Sequence, residues 1–414
     1  MREKLTLIVQ KYGGSSLADA DRIKGVSERI GEARGKSNHV VVVVSAMGDT
    51  TDELIALAHQ VSERPDPREL DVLLSTGELV SCTLIAMALR ANNHRAISLS
   101  GAQAGIRTDD TYGRARIAGV EPRRVQEELA NGNIVVVAGF QGITSEMDVT
   151  TLGRGASDLT AVALAAGLGA DRCEIYTDVN GIYTADPRLV PKARKLDEVG
   201  FEEMLELASY GAKMDPRSIE LGMAYDVPIL VASSFDRARG TLIHGRTGMD
   251  SKVGEIRNRV RGIATDENVA KITVRGLIDR PGISASLFEP LATADISIDV
   301  IVQNSSVDGT TDVTFTVERT DLRRALEVVE PVARELGSPR VVSAADLAKV
   351  SIVGTGMQDA PGYASRMFRA LADAKINIEM ITTSEIRITC LVAEAQVAEA
   401  ARALHVAFQL EKAE

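Results

Sequence analysis

Two arrangements of apolar and polar residues divide this chain. Up to about residue 245, short continuous apolar runs alternate with longer helical stretches. "LTLIVQ" precedes "ADADRIKGVSERIGEAR", and "HVVVVVSAMG" follows. Further on, "NIVVVAGFQG" leads to "SDLTAVALAAGLGA" and then to "RCEIYTDVNG". Continuous β-branched runs predict strands buried on both faces, as in a parallel sheet between helices. This region ends near "VPILVASSFDRARGTLIHG", and the polar "RTGMDSKVGEIRNR" predicts a linker.

Beyond the linker the pattern repeats at an offset of 80 residues without a gap. Pro281-Gly282 matches Pro361-Gly362, Phe288 matches Phe368, Ala292 matches Ala372, and Ile296 and Ile298 match Ile376 and Ile378. Each copy reads strand, Pro-Gly turn, helix, strand, strand ("TDVTFTVE", "EIRITCLVA") and a second helix. That order predicts a split βαβ, ferredoxin-like module. The division is 1–245, a linker at 246–262, and repeats at 263–340 and 341–414. The predicted class is α/β with a mostly parallel sheet, followed by two βαββαβ modules.

Composition narrows the function. The 414 residues are 45% hydrophobic and 25% charged, which predicts a soluble globular chain of several domains. A net charge of −11 speaks against a nucleic-acid partner. A positive pocket for small anions remains compatible with it. Cys82, Cys173 and Cys390 are far apart and form no CxxC pair, so neither a zinc cluster nor a disulfide framework is expected. The N-terminal apolar run is too short for a signal peptide. No stretch of about 18 apolar residues is expected to span a membrane. The expected location is the cytoplasm.

Five segments carry candidate chemistry. In "LIVQKYGGSS" a strand runs into Gly13-Gly14 and a helix start, where backbone N–H groups suit phosphate oxygens and Lys11 adds charge. An ordinary turn with a surface lysine is the alternative. "GEARGKS" has one residue too few between its glycines for a Walker loop and follows a helix rather than a strand. Nor does GGSS match the GxGxxG fingerprint. In "SAMGDTTDEL", Ser45, Gly48, Thr50 and Thr51 fill a second strand-to-helix turn, with Thr51 or Asp52 equally readable as a helix cap. In "STGE", Glu78 opens an apolar helix, where it either favours the helix dipole or anchors a cationic amino group.

The fourth segment, "TTLGRGASDLTAVALAA", holds Arg154 between two glycines before Ser157 and Asp158. Arginine binds carboxylates through paired hydrogen bonds, and the glycines let a ligand approach the backbone. Ser157 is the expected helix cap. In "EIYTDVNGIYTADPR" a strand ends at Thr177-Asp178, and Tyr183, Asp186 and Arg188 could frame a nucleotide. Asn180-Gly181 also reads as a hairpin turn. Lys213 supplies one more cation.

These motifs in this order resemble the aspartokinases of the amino-acid-kinase family, and the resemblance covers nearly the whole chain. Lys11 to Ser16 resembles the family's KxGG-(Thr/Ser)-Ser signature; "SAMGDTTD", "STGE", "TTLGRGASD" and "TDVNGIYTADPR" match further. The repeats resemble tandem ACT domains, with "DRPG", "QNSS", "DGTTDVTF" and "TSEIRI" close to the aspartokinase versions. The resemblance implies an amino-acid-kinase three-layer sandwich and transfer of phosphate from ATP, with Mg²⁺, to the side-chain carboxylate of L-aspartate. It implies Lys11 and Asp158 as catalytic residues. ATP contacts would come from Lys11, Tyr12, Gly13, Gly14, Ser45, Ser157, Thr177, Asp178, Tyr183, Thr184, Ala185, Asp186, Pro187, Arg188 and Lys213. Thr51, Glu78, Arg154, Gly155, Ala156 and Ser157 would bind aspartate. No protein metal ligand is implied.

By the same resemblance, threonine, lysine or both would bind the repeats. Their contacts would be Asp279, Ser297, Ile298, Asp299 and Gln303 in the first, and Tyr363, Ala364, Asn377, Ile378, Ser384 and Glu385 in the second. ACT pairing implies at least a homodimer, or an oligomer with a separately made regulatory subunit starting near Met249. No membrane partner is implied. Three positions depart from the family. Ala156 replaces a glycine and is tolerable only at negative φ. Asn180 replaces an acid. "GAKMDPRS" is one residue short and lacks a histidine. A kinase for glutamate or acetylglutamate is disfavoured by the ACT repeats and STGE. A non-catalytic amino-acid sensor is disfavoured by intact Lys11, Arg154 and Asp158.

Overall fold

Five consecutive valines, Val40 to Val44, are all fully buried, because helices cover both faces of the strand they form, His39–Val44. This strand and its neighbour Leu7–Tyr12 lie at the centre of an eight-stranded sheet. Its order is Glu198–Gly200, Thr241–His244, Ile229–Ser233, Arg172–Thr177, Leu7–Tyr12, His39–Val44, Ile134–Ala138 and Ala96–Leu99. All neighbouring strands are parallel except Ile229–Ser233 against Thr241–His244. The computed structural model describes residues 6–35, 39–153, 155–209, 214–245, 260–305, 309–338, 340–357 and 361–412. They divide into two compact units.

In the first unit, helices Ala20–Gly35 and Pro67–Ala91 cover one face, their Ile23, Val26, Ile30, Cys82, Ile85 and Leu89 packing on Val40, Val42 and Val44. Helix Ala156–Leu168 packs on the other face and is buried over its first three turns. The result is a helix–sheet–helix sandwich, with a smaller four-stranded sheet formed by Ile106–Thr108, Ile117–Val120, Gln141–Ile143 and Val149–Thr151.

Helix Pro67–Ala91 corrects one expectation. Its cap is Asp66, whose carboxylate accepts the N–H groups of Arg68 and Glu69, so Glu78 lies mid-helix and not in a first turn. Among the described residues it is also the one helix long and apolar enough to cross a membrane. Here its apolar side is spent on the sheet core.

The second unit is one six-stranded sheet made by both repeats, in the order Ile301–Ser305, Thr310–Val317, Gly262–Ile278, Arg340–Val353, Arg387–Ala393 and Met380–Thr383. The two long central strands are antiparallel. Residues 270–278 pair with Thr310–Val317, while Gly262–Asp266 pair with 349–353, the first strand of the second repeat. Conversely, 340–344 pair with the first repeat's opening strand before the chain enters the second. Each repeat is therefore a βαββαβ module whose closing strand is an extension of the other's opening strand. The turn glycines Gly282 and Gly362 have φ of 91° and 107°, and Asp295 and Lys375, also 80 apart, have φ of 56° and 58°.

Two boundaries shift for physical reasons. Residues 260–262, expected in the linker, belong to the sheet unit: Val260 is buried and the Arg261 N–H donates to Val353 O. The rest of that linker, with Met249, lies outside the described residues. Tyr183–Arg194, expected in the first domain, belongs to the second unit, with Ala185 and Val190 in its core.

Asp71, buried on helix Pro67–Ala91, accepts hydrogen bonds from Gly113 N, from Thr151 N at 2.8 Å and from Thr151 Oγ1 at 2.6 Å. Asp71→Ala leaves these donors unsatisfied, and a loss of about 3 kcal/mol follows. Urea unfolding followed by circular dichroism should show an earlier midpoint; an unchanged one contradicts this role.

Candidate active site

Lys11, Ser45 and Thr177 stand at the carboxyl ends of parallel strands in the first unit, the place where open α/β sheets present ligands. Alternation along Leu7–Tyr12 sends Lys11 and Tyr12 to opposite faces. Lys11 Nζ lies 2.7 Å from Asp158 Oδ1, and the two side chains are only 12% and 10% exposed. Asp158 stands in the first turn of helix Ala156–Leu168, where the helix dipole favours an acid.

Tyr12 is a correction. Its ring is fully buried and stacked on Tyr176 at 4.9 Å, so its side chain is core rather than ligand surface. Burial raises its pKa, and Tyr176 and Glu174 beside it push the same way.

The glycine turn is tighter than expected. Gly14–Leu17 is a single 3₁₀ turn, and the α-helix begins only at Ala20. The expected helix N-terminus directly after the glycines is therefore absent. Instead the turn packs on the next strand-to-helix connection. A methyl group on Gly14 would lie 2.8 Å from Ala46 O, Gly48 N donates to Gly14 O, and Ser45 N donates to Tyr12 O. Thr51 is the second residue of helix Thr50–Val61, whose cap position is Asp49; neither Thr51 nor Asp52 is the cap.

Glu78 faces the same connection. One carboxylate oxygen accepts the Ala46 N–H at 3.0 Å; the other, Oε2, is buried without a hydrogen-bond partner. Burial pushes its pKa up to about 7. Gly77 makes the close approach possible, since a Cβ there would lie 2.9 Å from Ala46 Cβ.

The loop before helix Ala156–Leu168 uses left-handed glycines, with φ of 88° at Gly153 and 79° at Gly155. Arg154 lies outside the described residues, as does Lys213. The cap is Gly155, so Ser157 is a buried second-position residue rather than the expected cap. Ala156 has right-handed helical backbone, and its methyl packs with Leu74, Phe140, Leu152 and Leu159, which explains why alanine is accepted.

Sequence reasoning missed Arg217. Its guanidinium donates to Leu152 O at 2.6 Å and lies 3.3 Å from Asp215, the cap of helix Pro216–Ala224, which sets a cation beside the Gly153–Gly155 loop. The Asp-Pro-Arg-Ser run that positions it was visible as a capped helix start.

Thr177 ends its strand at the same sheet edge, its hydroxyl donating to Asp178. Asn180-Gly181 is not a hairpin: Arg172–Thr177 pairs on both sides with parallel strands. Tyr183, Thr184, Ala185, Asp186, Pro187 and Arg188 belong to the second unit. Thr184 is buried against His405, Ala185 is core, and exposed Arg188 pairs with Asp186 at 2.5 Å.

The candidate effector residues all lie in the second unit. Asp279, Ser297, Gln303, Asn377, Ser384 and Glu385 are exposed, and Gln303 accepts from Ser284 Oγ at 2.7 Å. Ser384 N donates to Arg387 O. Asp299 forms an ion pair with Lys349. Ile298, Ala364 and Ile378 pack on the module cores, and Tyr363 stacks on Phe408.

The amino acid kinase family model matches residues 6–233, and an ACT domain model matches 272–331 and 350–408. The aspartokinase of Corynebacterium glutamicum is 52% identical over 98% of this chain and 97% of its own length. Aspartate kinase Ask_LysC of Stutzerimonas stutzeri is 47% identical over 98% of each. The crystal structure of E. coli aspartokinase III with aspartate and ADP superposes with a TM-score of 0.82 at 28% identity, covering 97% of this chain and 100% of that one. The chain belongs to the amino acid kinase family and, within it, to the aspartokinases.

The Glu78 shift yields a stability prediction. A folded pKa raised above the unfolded value means stability is fully present below about pH 4.5 and lost as pH rises through about 7. Glu78→Gln removes that loss. Thermal melting should show the variant matching the parent at low pH and exceeding it at pH 8, by at most about 3 kcal/mol; equal pH profiles would contradict the shift.

Proposed function

We infer that this chain transfers the γ-phosphoryl group of ATP to the side-chain carboxylate of L-aspartate in the cytoplasm, giving 4-phospho-L-aspartate and ADP. The observation that carries the choice of an amino acid is Glu78. A buried carboxyl group with one oxygen unpartnered suits an α-ammonium group, which supplies both charge and hydrogen bonds. The aspartokinase relatives and the aspartate in the E. coli structure support the same substrate.

The acceptor carboxylate is already ionised at neutral pH, so no general base is required. Its oxygen attacks the γ-phosphorus while the bond to ADP breaks. The work left to the protein is alignment and charge neutralisation. Lys11 stands at the strand end with its ammonium held by Asp158, and the Gly13-Gly14 turn brings main chain close to the same point. We assign Arg154, with Arg217 beside its loop, to the α-carboxylate, and Thr51 and Ser157 to further substrate contacts. The ATP contacts named from the sequence stand as assignments, with Tyr12, Thr184 and Ala185 restricted to main-chain roles. Mg²⁺ would neutralise the phosphates. The cation would be carried mainly by phosphate oxygens and water.

The ACT modules we read as feedback sites for threonine, lysine or both; a solved E. coli aspartokinase III carries lysine. Both sheet edges are short strands, each with an exposed isoleucine, Ile301 and Ile381, at equivalent positions. Uncovered edges pair readily, which supports at least a dimer through the sheets.

Incubation with ATP, Mg²⁺ and hydroxylamine should yield the hydroxamate with aspartate and not with glutamate; no product with either overturns the assignment. Lys11→Met should lower kcat by about 10²–10³. Because it strands a buried acid, Lys11→Met/Asp158→Asn serves as the folded control, and an undiminished rate in either excludes Lys11 from the chemistry. The KM for aspartate should rise as pH falls below about 7, where Glu78 is protonated in the free enzyme. A pH-independent KM would remove Glu78 from the ammonium site.

A further inference from the structure

Two matched ion pairs in the second unit bring in lysines, Lys271 and Lys349, to which the function described above gives no role. Asp299 and Glu379 are 80 positions apart and stand just before the two edge strands. Each meets a lysine from the other repeat. Asp299 Oδ2 lies 2.5 Å from Nζ of Lys349, on the stretch of Arg340–Val353 that pairs with the second repeat's Arg387–Ala393. Glu379 Oε2 lies 3.0 Å from Nζ of Lys271, on the stretch of Gly262–Ile278 that pairs with the first repeat's Thr310–Val317.

The pairs differ in burial in a useful way. The Lys349 side chain is 6% exposed, and Asp266, also from the first repeat's long strand, stands 3.4 Å away. An ammonium group that far from water has to be held by carboxylates. Asp299 remains 42% exposed, so a ligand can reach the acid that Lys349 fixes. In the other repeat Glu379 also accepts from Asn377 Nδ2 at 3.3 Å, next to the Asn377-Ile378 segment.

We propose that Lys349 and Lys271 are positioning residues for amino-acid control: each fixes the ligand-facing acidic segment of the opposite repeat, so both repeats respond as a unit. The proposal rests on the reading that an amino acid binds the repeats through the Asp299 and Asn377 segments. Moving Asp299 displaces Lys349, and with it the second repeat's opening strand. Reciprocity requires the reverse coupling as well.

The test uses the full chain, with threonine and lysine titrated singly and together against kinase activity. Lys349→Met removes a charge without stranding a buried one, since both acids are partly exposed. It should raise the half-inhibitory concentration about tenfold, with uninhibited kcat and both KM values unchanged. Lys349→Arg should restore part of the response. Unchanged or tighter inhibition of Lys349→Met overturns the proposal. Should that variant fail to fold, the more exposed Lys271→Met decides by the same criteria. Asp299→Asn separates the two levels. If it desensitises while folded Lys349→Met does not, the positioning role alone is wrong. If neither Asp299→Asn nor Lys349→Met changes inhibition, or if neither amino acid inhibits the parent, the effector reading falls as well.

Discussion

The first unit is organised around one ion pair, Lys11 with Asp158, placed where strand and helix meet with little water around it. Such a pair is costly to break and gains nothing from being remote, so the surrounding backbone has to bring its two halves together. Lys11 comes from a central strand whose neighbours are fixed in register on both sides. Asp158 comes from a helix that starts on a left-handed glycine, which turns the chain directly from the small sheet onto the large one. Gly14 and Gly77 then allow a 3₁₀ turn and helix Pro67–Ala91 to close in on the connection around Ala46. The glycines and the ion pair act together: the first let the backbone close in, and the second ties strand to helix.

The second unit follows a different constraint. Two modules that exchange closing strands cannot complete their sheets independently. The long strands Gly262–Ile278 and Arg340–Val353 each serve both modules, and their pairing runs through the centre of the sheet. Tyr183–Arg194 is drawn into the same unit by several anchors. These are the Thr184–His405 contact, the burial of Ala185 and Val190, and the ion pair of Lys192 with Glu411 at 3.1 Å. Burial depresses the pKa of His405, with Arg194 and Lys192 adding to it and Glu411 opposing, which keeps it a neutral partner for that hydroxyl.

Much of this was readable from residues. The all-valine run could be little other than a doubly covered strand, and the 80-residue offset carried the turn glycines and core positions into register. What failed was local. Glu78 looked like a first-turn acid because STGE reads as a punctuation mark. The true start, Asp66-Pro67, lies earlier and is stronger. Asn180-Gly181 looked like a hairpin because nothing in a short run reveals that its strand is already paired on both sides. Ser157 lost the cap to Gly155 because left-handed backbone ends the preceding loop. Arg217 escaped because its importance comes from a neighbouring loop distant in sequence. The exchange of closing strands was hidden for the same reason: pairing partners that far apart leave no periodic trace.

Glu78 shows how stability and function are traded at this site. A mid-helix acid facing a closely packed turn is unfavourable on every structural count: it is buried, it satisfies only one oxygen, and its proton affinity rises accordingly. Glutamine would keep the bond from Ala46 and avoid the charge. On the proposed reading, the substrate's ammonium group completes the acid. On that argument the destabilising residue is the one most diagnostic of the ligand. Lys11 and Asp158 neutralise each other, whereas Glu78 Oε2 is buried without a hydrogen-bond partner, which is the feature the proposed ammonium contact would complete.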